Sequence, residues 1–165
     1  MTYKSHYIVT SDLKGKRFFY TLIKRIRVMY HYPEIDPQVS LVGKGGDGGF
    51  NEIDERIQAG LTKKEFIIVF MDGDYGKNKK VEWVKQKMSG HSKVELLIFE
   101  SEVEEWVLKG TNKPFVPGKK ASVQMKEHYP EYTKASLPNY ASKIDLEILK
   151  IKDENFKRFL VILDP

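Results

Sequence analysis

The chain has 165 residues, of which 41% are hydrophobic and 31% charged, with a formal net charge of +5. That balance describes a folded domain with a core of its own and excludes a disordered chain. There is no cysteine, which excludes disulfides and thiolate metal sites, and no apolar run approaches the roughly 18 residues of a membrane span.

The first residues, MTYKSHYIVTSD, lack the apolar stretch of a signal peptide, so a cytoplasmic location and no membrane partner are expected. Tyr7 to Thr10 reads as a short strand, and Ser11 to Gly15 as a turn with a helix-start signal. Phe18, Phe19, Leu22, Ile23, Ile26 and Met29 then recur at helical spacing, with Lys16, Arg17, Lys24, Arg25 and Arg27 on the remaining face. Tyr32 to Pro37 is a loop and Gln38 to Val42 a second strand. Five glycines fall within Gly43 to Gly49, ahead of a predicted helix over Asn51 to Ala59. The run is not a P-loop, because its only lysine, Lys44, precedes most of the glycines.

Glu65 to Asp74, EFIIVFMDGD, is the most informative stretch. Phe66 to Phe70 is apolar without alternation, as in a strand buried on both faces of a parallel sheet. Ligands in such sheets sit beyond the carboxyl ends of the strands, where Asp72 and Asp74 fall. If the chain stays extended, equal parity sends both carboxylates to one side. Two hard oxygen donors around a glycine suit Mg²⁺ or Mn²⁺. A turn over Tyr75 to Asn78, a helix over Lys79 to Met88 and a second apolar strand over Val94 to Phe99 follow.

Glu100, Glu102, Glu104 and Glu105 come directly after that strand. If residues 101–109 are helical, Val103, Trp106 and Val107 form the buried side and Glu100 and Glu104 share another. Like charges so close repel unless a cation balances them. The two acidic groups are therefore expected to converge on one or two divalent ions at a shared sheet edge. The β-α-β-α order argues an α/β fold with a mainly parallel sheet flanked by helices. Residues 1–112 form that domain, and residues 113–165 a helical extension on it. The extension is read as helices over Val123 to Tyr132, Ser136 to Ile144 and Glu154 to Leu163, with Pro130 and Pro138 as breaks. The last helix is expected to dock on the sheet.

These pieces resemble a Rossmann-like TOPRIM domain, of the small RloB-like and OLD-nuclease kind. The resemblance rests on YIVTSDLKGKRFFYTLIKRI from Tyr7, on FIIVFMDGD from Phe66, and on FESEVEEWVLK from Phe99. Tyr132-x-Lys134, Leu146-Glu147 and Phe156-x-x-Phe159-Leu160 continue it. It implies that Asp72, Asp74 and Glu104 hold Mg²⁺ or Mn²⁺. It also implies a catalytic acid after the first strand, where the family's glutamate is replaced by Thr10, Ser11 and Asp12. Asp12 is the candidate for that role.

The implied activity is metal-dependent cleavage of phosphodiester bonds in DNA or RNA, in a defence or mobile-element setting. Lys14, Lys16, Lys44 and Lys77 are the candidate nucleic-acid contacts. The alternative is a catalytically impaired TOPRIM-like subunit that binds nucleic acid or protein. A nucleotide phosphotransferase or receiver-like domain is a third reading. A partner protein or a second copy of the chain is a further expected partner. His6, His31, His91 and His128 follow no metal-ligand spacing, and His6 alone is expected near the site.

Overall fold

In the computed structural model the described residues are 6–10, 13–32, 38–41, 55, 57–59, 61–62 and 66–164. Asp12, Lys44 and the glycine run lie outside them.

Four strands, β1 (His6–Thr10), β2 (Gln38–Leu41), β3 (Phe66–Asp72) and β4 (Val94–Phe99), form one sheet in the order β2-β1-β3-β4. Every pairing is parallel. The helices are α1 (Leu13–Tyr30), α2 (Lys80–Met88), α3 (Glu104–Gly110), α4 (Ala121–His128), α5 (Leu137–Tyr140), α6 (Leu146–Lys152) and α7 (Glu154–Leu163). Residues 57–59 and 61–62 are also helical.

Strand alternation divides the core in two. Ile8, Ile68 and Phe70 face one side, with Phe18, Phe19, Leu22 and Ile23 of α1. Tyr7, Val9, Ile67, Val69 and Met71 face the other, against Ile57 and the Val81 and Val84 of α2. Helices on both faces are what the unbroken apolar strands required. The α/β class and the parallel sheet expected from the sequence are therefore present.

Residues of α3 to α7 join the α1-side core. Trp106, fully buried, is its hub: ring centroids lie 5.7 Å from Phe70, 5.0 Å from Phe99, 5.3 Å from Phe156 and 5.8 Å from Phe159. Its indole N–H donates to Asp153 Oδ1 at 3.1 Å. The last helix docks on the sheet as expected: Asn155 Nδ2 donates to the Ile98 carbonyl at 2.8 Å and Phe159 meets Phe70 edge-on.

The extension differs from the sequence reading in detail. Helix α4 stops at His128, two residues short of Pro130, because the residue before proline is driven out of helical geometry. Pro138 does not break a helix. It sits in the first turn of α5, where no intrahelical N–H bond is lost. The span 134–143 is a 3₁₀ turn, the four-residue α5 and a second 3₁₀ turn rather than one helix. Helix α6 was not anticipated. Asp145 starts it by accepting from the Glu147 and Ile148 N–H groups, and Asp153 both ends it and caps α7.

Candidate functional site

The strand order reverses at β1, since β2 lies on one side of it and β3 on the other. The crevice beyond the carboxyl ends of β1 and β3 is the usual ligand position in such a sheet. Thr10, the last residue of β1, is in register with Phe70, and Asp72 ends β3 opposite Phe99. Asp72 keeps the parity of Ile68 and Phe70, and so belongs to the α1 side of the sheet.

The turn after Asp72 is held against β4. Gly73 N–H donates to the Phe99 carbonyl at 2.9 Å, and Tyr75 N–H to that of Glu100 at 2.7 Å. A Cβ on Gly73 would lie 2.3 Å from the Phe99 oxygen, so no larger residue fits between the two aspartates. The chain then departs from extension. Gly73 is helical in conformation, while Asp74 and Tyr75 have φ of +45° and +53°. The parity argument for Asp74 therefore fails: it holds only while the backbone is extended.

Two consecutive left-handed residues other than glycine store strain, of order 1–3 kcal/mol each. The surroundings impose the shape. The Tyr75 hydroxyl donates to the Lys119 carbonyl at 2.5 Å, and Asn78 Nδ2 donates to that of Asp72 at 2.6 Å. Asp72 and Asp74 are both half-buried. Asp72 is engaged by a neighbour, whereas the Asp74 side chain makes no hydrogen bond or ion pair among the described residues. A 740 Å³ cleft borders the turn on the α2 side through Gly73 and Tyr75, with Lys79 and Lys85 in its wall. Neither aspartate lines it.

The glutamates after β4 behave differently. Helix α3 begins only at Glu104, so Glu100 stays on an exposed bend and does not share a helix side with it. Val103, Trp106 and Val107 are buried as expected. The charges are balanced from within. Glu102 Oε2 accepts from Ser122 N–H at 2.8 Å, and Glu105 Oε1 from Ser101 N–H at 2.8 Å. Lys109 Nζ lies 3.7 Å from Glu105 and 2.7 Å from Asp153. Burial pushes the Glu105 carboxyl up to about 7, against the opposite pull of the Ser101 N–H and Lys109.

Glu104 is fully buried. Its Oε1 accepts from the Tyr132 hydroxyl at 2.8 Å and pairs with Lys134 Nζ at 2.9 Å, while Oε2 is buried without a hydrogen bond. Tyr132 and Lys134 thus act on Glu104, a role that the sequence signal Tyr-x-Lys did not specify. Among the described residues, no three histidine, aspartate or glutamate side chains are grouped to hold a metal ion. Lys109, Lys134 and two backbone N–H groups thus meet Glu102, Glu104 and Glu105, while Glu100 is exposed.

Of the candidate nucleic-acid contacts, Lys16 and Lys77 are exposed and Lys14 is half-buried with a partner. His6 is not near the aspartates. It begins β1, at the opposite edge of the sheet, and its Nε2 donates to the Ile162 carbonyl at 3.0 Å. No helix among the described residues is long and apolar enough to cross a membrane.

The class defined by these features is a parallel α/β protein with a strained acidic turn at its central strand end. No protein-family model matches the chain, and no curated protein sequence matches it.

Proposed function

We propose that the protein is a Mg²⁺- or Mn²⁺-dependent phosphodiester-cleaving enzyme of TOPRIM-like kind, acting on DNA or RNA. The observation that carries this reading is the position of Asp72. It ends the strand beside the point where the strand order reverses, and Asp74 follows on a strained turn. Strain of this kind collects at functional sites.

The donor set fits the ion. Mg²⁺ is commonly held by one or two carboxylates, with water and substrate phosphate completing its shell. Asp72 and Asp74 would be those carboxylates, and Glu104, which is not grouped with them among the described residues, would join only by leaving Tyr132 and Lys134. A bound divalent ion supplies charge for the phosphoryl oxygens and a more acidic water. Asp12, two residues beyond β1 in sequence, would orient or deprotonate that water. Lys16 and Lys77 would meet the backbone phosphates.

A second reading has its own support. Glu104 is already engaged by Tyr132 and Lys134, and no group of three metal-ligating side chains occurs among the described residues. Both favour a nucleic-acid- or protein-binding subunit without turnover. The deciding experiment incubates end-labelled single- and double-stranded DNA and RNA with Mg²⁺, Mn²⁺ or EDTA. Asp72→Asn/Asp74→Asn, with its fold checked by circular dichroism, runs beside the wild type. Metal-dependent cutting that the variant loses is the expected outcome. Cutting that survives in the variant removes Asp72 and Asp74 from the site, and none by the wild type sinks the enzyme reading.

A further inference from the structure

We propose that the groove between the first half of α1 and α5 is a subsite for single-stranded nucleic acid, with Lys16 and Arg17 holding phosphate and Tyr20 stacking a base. This rests on the phosphodiester-cleaving reading for its purpose, but on separate residues for its evidence. The groove encloses 490 Å³ and is lined by Lys16, Arg17, Tyr20, Thr21, Pro138 and Asn139. Its wall therefore holds two cations, an aromatic ring, a hydroxyl and an amide, and no carboxylate. Lys16 and Arg17 are exposed, and neither pairs with a carboxylate among the described residues.

Tyr20 is the informative residue. It lies in α1 and is 47% exposed.

 The apolar side of the same helix is fully occupied by Phe18, Phe19, Leu22, Ile23 and Ile26, so Tyr20 is surplus to the core. Lys24 Nζ lies over its ring, 4.3 Å from the centroid.

A half-exposed ring beside exposed cations suits an unpaired base and its phosphates, because every base has a face to stack and a duplex hides it. Asn139 offers both a donor and an acceptor to a base edge. The place also fits. Helix α1 starts at Leu13, so Lys16 and Tyr20 lie roughly 5 Å and 10 Å along it at about 1.5 Å per residue. Helix α1 covers the side of the sheet to which Asp72 belongs by parity.

The test is fluorescence anisotropy of labelled oligo-dT and oligo-U with the full chain, in EDTA so that nothing is cut. Tyr20→Ala is expected to weaken binding about tenfold, and Tyr20→Phe to leave it nearly unchanged. Lys16→Ala/Arg17→Ala should weaken binding and lower the salt slope by about 1.4, at roughly 0.7 per phosphate contact on a single strand. Lys87→Ala/Lys93→Ala removes the same charge at the far end of the sheet and should change binding less than twofold. Equal loss in that control, duplex competing as well as single strand, or no binding by the wild type overturns the subsite. Groove-dependent binding without cleavage in Mg²⁺ would sink the enzyme reading alone, and cleavage indifferent to the groove variants would sink the subsite alone. A stronger response to oligo-U or to oligo-dT tells RNA from DNA.

Discussion

Two acidic segments follow two apolar strands at the same edge of one sheet, and they end in opposite situations. After β3, Asp72 and Asp74 lie half-buried on a strained turn, and Asp74 has no side-chain partner among the described residues. After β4, Glu102, Glu104 and Glu105 turn inward and are met by Ser122, Lys134, Tyr132, Ser101 and Lys109. Charge in a sequence therefore does not separate a ligand site from a structural network. What separates them is whether the rest of the chain returns to cover the carboxylates.

The largest expected effect is on the scaffold of the inward network. Trp106→Ala should cost about 4 kcal/mol in urea unfolding, since it empties the aromatic hub and strips Asp153 of a donor. A loss under 1 kcal/mol would show that α3 is held by something else. Gly73→Ala should cost roughly 3 kcal/mol, because its Cβ meets a backbone oxygen that cannot swing aside. An unchanged melting temperature would mean that the two strand ends are not tied together as described.

The pH response separates the two segments further. Burial raises the Glu105 carboxyl to about 7, so the folded state binds its proton more tightly than the unfolded chain does. The associated stability is present below the ordinary carboxylate range and is lost as pH rises through 7. On the order of 3 kcal/mol is at stake. Glu105→Gln should flatten that dependence between pH 5 and 8, and an unaltered slope would assign it to other groups. Lys134→Met should cost about 1–2 kcal/mol, less than for a fully enclosed pair because the lysine side chain is half exposed. Adding Glu104→Gln should recover part of that loss.

The smallest expected stability change is in Asp72→Asn/Asp74→Asn, under about 1 kcal/mol. Mg²⁺ should raise the melting temperature of the wild type and not of this variant, as ligand linkage requires. An equal rise in both would place the ion elsewhere.

The sequence alone determined the strands, the burial of β3 on both faces, α1 with its apolar stripe, and the docking of the last helix. These follow from local periodicity and from the simple rule that apolar surface must be covered. Glycine between Asp72 and Asp74 was also legible, although its reason, the carbonyl of Phe99 pressed against it, was not. Tertiary structure decided the rest. It turned Asp74 out of strand geometry, placed His6 at the opposite edge, and closed Tyr132 and Lys134 over Glu104. Each of these depends on contacts between segments far apart in the chain, and periodicity carries no information about which distant segment will supply the partner.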